Sequence, residues 1–195
     1  SMYINDFDDN NSIEQVIFQY NGDSSYTMAL RHDLVMQMPG LKKRYLKYNS
    51  YKNQTVHDIF SPEKIRTSHV NLVHDLKTSA FLNKGNDFEK ISLPIESQFS
   101  NIFSVGIDDY NNDGYSDIIL AGNLYDVKPE VGRYDANYGQ ILLGGEELKF
   151  EVVPYNYSGL LLDSQVRDFS ILKNLGGKNY LLVLNNNDTL QSYSF

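Results

Sequence analysis

Twelve short runs of strand character, separated by clusters of Gly, Asn and Asp, limit what this chain can fold into more than any other feature. They lie at 15–20, 25–30, 70–73, 78–82, 88–93, 102–107, 117–121, 140–143, 149–153, 166–172, 180–184 and 190–195. The clusters between them include Asn21-Gly22-Asp23, Asn83-Lys84-Gly85-Asn86-Asp87, Gly144-Gly145 and Gly176-Gly177. These residue types tolerate the backbone angles of tight turns, so the pattern predicts antiparallel hairpins and an all-β fold. Composition agrees. Trp is absent, but 15 Tyr and 10 Phe suit half-buried pleated surfaces.

One segment departs from the cadence. Across 33–65, Leu34, Met38, Leu41, Tyr45, Leu46, Tyr48 and Tyr51 recur at three- and four-residue spacings, punctuated by Pro39-Gly40 and by the helix-start signal Ser61-Pro62-Glu63. This reads as a short helical insertion within a β domain. Its basic run, Lys42-Lys43-Arg44, reads as a solvated helix face.

An internal repeat organises the rest. The stretch 107–120, from Ile107-Asp108-Asp109 to Ile118-Ile119-Leu120, aligns with 4–17, and a weaker third copy begins at Val166-Arg167-Asp168-Phe169-Ser170. Each copy reads strand, turn, strand. The second is followed by another hairpin, 140–143 and 149–153, which makes a unit of four strands. Radial arrays of such units are β-propellers. The expected fold is therefore all-β, a partial β-propeller of about three four-stranded antiparallel blades. Blade one would span about 1–94 with the insertion at 33–65, blade two about 101–154, and blade three about 161–195.

The turn of the second copy carries chemistry. Asp109, Asn111, Asp113 and Asp117 place four oxygen-bearing side chains at odd-numbered offsets, with Gly114 where the chain turns sharply. Such side chains can converge on one ion while the intervening residues point away. A hard cation takes roughly 6–8 oxygens, and the Tyr115 carbonyl and water would complete the shell, so the expected ion is calcium. The same residue types also build Asx-rich turns with no metal. In the first copy the set is Asp6, Asp8, Asn10 and Glu14, with Asn11 in place of Gly and Glu14 in place of the closing Asp. Asn tolerates positive φ and the longer Glu can still reach an ion, so this is expected to be the weaker site. The third copy has Lys173 and Lys178 at its turn and is expected to be metal-free. An EF-hand is excluded, because its twelfth position needs a bidentate Glu, and here that position is Leu120 or Ile17 in β-like runs.

These loops and their flanking strands resemble FG-GAP, or VCBS, repeats, the calcium-bearing blades of integrin-α-like β-propellers. The stretches Ala121-Gly122-Asn123-Leu124-Tyr125, 132–139 and Leu142-Leu143-Gly144 are similar to the C-terminal part of large bacterial VCBS-repeat proteins of the ASPIC/UnbV-associated kind. So are Val166-Arg167-Asp168 and 185–191. The resemblance implies a non-catalytic, calcium-stabilised propeller segment that is secreted, periplasmic or on the cell surface. It would serve adhesion or recognition of a protein or glycan ligand.

Other classes fare worse. With 17 Lys plus Arg against 25 Asp plus Glu, the formal charge is −8, which disfavours nucleic acid as a partner. No apolar run approaches a membrane span, so no membrane insertion is expected, and the N-terminus does not read as a signal peptide. Ser1-Met2 reads as a cloning remnant before a piece of a longer chain. The absence of Cys excludes disulfides, thiolate catalysis and Cys-ligated metals. His32, His57, His69 and His74 show no zinc spacing, and Gly177-Lys178 is followed by Asn179, which rules out a phosphate loop. The polar and aromatic loop 125–138 offers Tyr125, Arg133, Tyr134, Asp135 and Tyr138. Either these face a ligand through stacking and bidentate hydrogen bonds, or Arg133 and Asp135 pair locally and tie the loop down. The alternative function is part of a propeller-type polysaccharide lyase or glycoside hydrolase, for which no cluster of acids and bases outside the loops assembles. Three blades leave open edges. The chain is expected either to form a two-fold homodimer, blade three against blade one, or to stay monomeric with the insertion folded over the open face.

Overall fold

In the computed structural model, which describes residues 1–173, 176 and 178–195, the turn clusters do return the chain on itself, and strands outweigh helices by 38% to 18%. All of the sheets are antiparallel. The chain divides into two compact units, Ser1–Leu76 and Lys77–Phe195.

The first unit contains strands β1 (Met2–Asn5), β2 (Glu14–Asn21), β3 (Ser24–Thr27) and β4 (His69–Asn71), and helices α1 (Arg31–Gln37), α2 (Leu41–Arg44), α3 (Val56–Ile59) and α4 (Pro62–Thr67). The sheet order is β3-β2-β1-β4. β1 is too short to stand out as a run in the sequence, yet it is central, with Tyr3 opposite Val16 and Ile4 opposite His69. Along β2 the side chains of Glu14, Val16 and Phe18 are buried while those between them are exposed, the period-2 pattern of a sheet with one covered face. The helical segment supplies the cover. Leu34, Met38, Tyr45, Tyr51, Val56, Ile59 and Phe60 form one core with Phe7, Val16 and Phe18. Phe7 stacks on Phe60 at 3.8 Å, and the buried Tyr51 satisfies its hydroxyl on the Ala29 carbonyl at 2.8 Å. The helices themselves are short and depend on this packing, helped by local caps. Asp58 accepts from the Thr55 N–H and hydroxyl, and Ser61 accepts from the Lys64 N–H behind Pro62. All three residues of the basic run are exposed, and Arg44 also donates to the carbonyls of Asp58 and Ile59 and lies over the Tyr45 ring.

The second unit contains β5 (Ser79–Asn83), β6 (Phe88–Ser92), β7 (Ile102–Asp108), β8 (Asp117–Gly122), β9 (Gln140–Gly144), β10 (Phe150–Val153), α5 (Tyr155–Ser158), β11 (Val166–Lys173), β12 (Asn179–Asn185) and β13 (Gln191–Ser194). Strands β10-β9-β8-β7 form a four-stranded meander, β11-β12-β13 a three-stranded sheet, and β5-β6 a separate hairpin. The segmentation read from sequence put 78–93 with the first repeat. Here β4 takes the place beside β1, and the hairpin's pairing is between its own two strands. β8 is buried along its whole length, which is why 117–122 reads as a continuous rather than alternating apolar run. Ile119 and Ala121 face a core shared with Leu160, Leu162, Val166, Phe169, Leu181 and Val183, while Ile118 and Leu120 join Leu142, Leu93 and Phe150 on the other side. Among the described residues, no helix is long and apolar enough to cross a membrane.

The dependence of the first sheet on its helical cover can be measured. Leu34 is fully buried, whereas Leu46, twelve residues further on, is 74% exposed. Leu34→Ala is expected to cost about 2–5 kcal/mol in urea denaturation, and Leu46→Ala to stay within about 0.5 kcal/mol of the parent.

Candidate metal-binding loops

The two acidic loops fold alike. In the second, which joins β7 to β8, Asp109 accepts from the N–H groups of Asp113 at 3.1 Å and Gly114 at 2.9 Å, and Asp113 accepts from the Tyr115 N–H at 2.9 Å. In the first, which joins β1 to β2, Asp6 accepts from Asn10 at 3.0 Å and Asn11 at 2.9 Å, and Asn10 accepts from Ser12 at 2.6 Å. The offsets are identical. The closing carboxylates also correspond, with Asp117 taking the Tyr110 N–H at 2.9 Å and Glu14 the Phe7 N–H at 2.8 Å. Gly114 has φ +92° and Asn11 φ +65°, so Asn stands in for Gly at the sharp turn, as its short polar side chain allows.

The carboxylates of the two loops differ in where they converge. Asp6, Asp8 and Glu14 bring one ligand oxygen each to within 4.8 Å of one another, and among the described residues this is the triad so gathered. In the second loop the Asn111 side-chain amide donates to Asp113 at 2.8 Å, while the other Asp113 oxygen holds Tyr115, so both oxygens are turned to loop donors. Convergence therefore favours the first loop, whereas the residue pattern favours the second. The first loop has a further partner that its sequence does not announce. Lys64 of α4 donates to the Asp6 carbonyl and to the Asp9 carboxylate, and the bond to Asp9 raises the Lys64 pKa. Asn5 donates back to the Lys64 carbonyl at 2.9 Å, so α4 is clamped to this loop. The Lys-bearing turn of the third copy, apart from Gly176 and Lys178, lies outside the residues whose side chains are described.

In each of these two loops the second residue is an aromatic anchor. Phe7 enters the first core, and Tyr110 packs against the second. The Tyr110 hydroxyl is buried with no hydrogen-bond partner. Burial, followed by the carboxylates of Asp108 and Asp117, pushes its pKa up to about 12. Asp117, wholly buried, also accepts the Gly144 N–H at 2.8 Å and so ties the loop to the end of β9.

The loop between β8 and β9 is held by polar groups. Asn123, fully buried at φ +91°, accepts from Ser100 at 2.9 Å and the Asn137 N–H at 3.0 Å, and donates to the carbonyls of Asn137 and Ser164. Arg167 donates to the Asn123 carbonyl and to Gln165, whose oxygen also takes the Tyr125 N–H. Leu124 bridges to Tyr134. Of the candidate ligand-facing residues, Tyr125 is pinned by its hydroxyl to the Asp163 carbonyl at 2.6 Å, and Arg133 lies 5.1 Å over its ring. Burial first and then Asp135 raise the Tyr125 pKa. Tyr134 and Tyr138 are exposed. Asn123, Gln165 and Arg167 have no ligand pattern in sequence; the clue to them is a buried polar residue at the end of an apolar strand.

The orphan hydroxyl generates a test. Because the first loop carries Phe at the equivalent place, Tyr110→Phe is expected to be neutral or to stabilise by about 1 kcal/mol at neutral pH. An unfolded Tyr ionises near pH ~10, while folded Tyr110 holds its proton to about 12. The unfolded state thus binds fewer protons in this window, and stability falls as pH rises through it. Urea midpoints followed from neutral pH into that window should decline less in Tyr110→Phe than in the parent. Compared with models of known protein families, with curated proteins and with solved structures, the chain matches none.

Proposed function

We infer that this chain is a calcium-binding, non-catalytic recognition or adhesion module, built from FG-GAP/VCBS-type propeller repeats and working outside the cell. One observation carries the reading: two loops far apart in sequence adopt the same hydrogen-bonded turn, each between antiparallel strands and each closed by a buried carboxylate at the head of the second strand. Both turns carry oxygen-bearing side chains at the same offsets, the donor type that a hard cation takes. The four-, four- and three-stranded sheets then read as about three blades. The loop 125–138, with its exposed Tyr134 and Tyr138, offers a protein or glycan ligand an aromatic surface. In the first loop the Lys64 ammonium competes with a bound cation, which makes the second loop the tighter site.

Thermal melts in calcium and in chelator test this. Free calcium at ~100 times its dissociation constant stabilises a native-only site by about 2.7 kcal/mol. Asp113→Ala should remove most of the shift. Lys64→Met should leave the second site unchanged and tighten the first in calorimetry. Identical melts with and without calcium would sink the assignment.

A further inference from the structure

The helical segment is charged against the rest of the chain. Residues 31–67, from α1 to α4, carry 8 Lys and Arg against 3 Asp and Glu, a net of +5, whereas the remaining residues carry 9 against 22, a net of −13. Cations gathered in one short segment give it a local field opposite in sign to that of the whole molecule. Part of this charge serves the fold, since Lys64 clamps the first loop and Arg44 holds α3. Another part surrounds Tyr48.

Tyr48 begins a tight turn in which the Tyr51 and Lys52 N–H groups donate to its carbonyl at 2.9 and 3.0 Å. Buried Tyr51 anchors that turn through its hydroxyl on the Ala29 carbonyl. The Tyr48 ring is 51% exposed, yet α1 fixes it through two residues. Arg31 donates through Nε to the Tyr45 carbonyl, which keeps its guanidinium 5.8 Å from the centre of the Tyr48 ring. The Asp33 carboxylate, 3.1 Å from His32 Nε2, accepts only, so Nε2 carries the proton. Neutral His32 then takes the Tyr48 hydroxyl on Nδ1 at 2.6 Å. Lys47, just before the ring, and Lys52, one turn after it, are both exposed.

An exposed ring already held in place is a platform that loses little entropy when a ligand covers it. Its electron-rich face suits the C–H face of a sugar, and the cations beside it suit a carboxylate on that sugar. An acidic peptide offers carboxylates without the ring face. A nucleic acid duplex, with one charge per ~1.7 Å of axis, is far more densely charged than a sugar acid and is repelled by the acidic remainder of the chain. We propose that Tyr48, with Arg31, Lys47 and Lys52, binds an acidic oligosaccharide, one uronic acid ring stacked on Tyr48 and its carboxylate facing these cations. This goes beyond the calcium reading: the surface lies outside both acidic loops and needs no ion.

The probe is tetragalacturonate, labelled with a fluorophore at its reducing end and titrated against the full chain by fluorescence anisotropy in chelator. Three controls accompany it: the fully methyl-esterified form, which keeps the rings without the charge, tetraglutamate, which keeps the charge without the rings, and a thymidine tetranucleotide. Tetragalacturonate is expected to bind at least ~10-fold more tightly than each control. Tyr48→Ala, and Lys47→Glu combined with Lys52→Glu, should each weaken it by a similar factor, whereas Lys149→Glu in the second unit should leave it unchanged. The double Lys variant decides the matter if Tyr48→Ala fails to fold. No binding, equal or tighter binding of any control, or undiminished binding to a folded variant at Tyr48 or at the two lysines overturns the proposal. Because calcium is absent from these titrations, their outcome is separate from that of the calcium melts.

Discussion

A buried carboxylate that accepts a backbone N–H across a tight loop is the interaction on which both units depend. Glu14 takes the N–H of Phe7, and Asp117 that of Tyr110. The bond closes the loop and fixes the aromatic residue at the point where its ring must enter the core, so loop geometry and core packing are set by the same atoms. Asp117 carries a second duty through the Gly144 N–H, which pins the end of β9 beside the loop. There a Cβ on Gly144 would lie 2.2 Å from the Ser116 carbonyl oxygen, so the close approach needs glycine. A buried acceptor serving two backbone donors leaves both unsatisfied if it is removed, which is far more costly than the loss of an exposed hydrogen bond.

The two units bury their sheets in different ways. In the first, one face of the sheet is covered by short helices whose apolar residues come from separate turns of an irregular segment. In the second, β8 is covered on both sides, and one of those layers is formed by strands β11 and β12. The same loop thus serves a helix-covered sheet and a sheet-on-sheet core. This is possible because the anchor it presents is a single ring, Phe7 or Tyr110, that fits either. The cover also supplies Lys64: α4 brings its ammonium group to the rim of the first loop.

Polar groups buried in the second unit hold the long β8–β9 loop to the strands below it. Asn123 uses its side-chain oxygen and nitrogen and its carbonyl at once, and every partner is a backbone group, a hydroxyl or the Arg167 guanidinium. Bonds of this kind specify one loop position rather than adding much net stability. It leaves Tyr134 and Tyr138 exposed on a loop whose base is held.

Much of this was legible in the chain itself. The twelve runs all appear as strands, because alternation of apolar residues and turn-forming clusters are local properties, and Ser61-Pro62 does start a helix. The alignment of 4–17 with 107–120 anticipated that the two loops would share a backbone path, since spacing of Asp, Asn and Gly dictates which N–H groups each side chain can reach. Tertiary contacts decided the rest. β1 is a strand because β2 and β4 flank it, β5 and β6 pair with each other, and Asp6, Asp8 and Glu14 rather than the second set gather their oxygens. Lys64, 55 positions along the chain from Asp9, reaches it only after the chain has folded back. Local pattern determines which segments are strands and where they turn; which strand stands beside which, and which charge meets which loop, depends on contacts between residues that no local spacing relates.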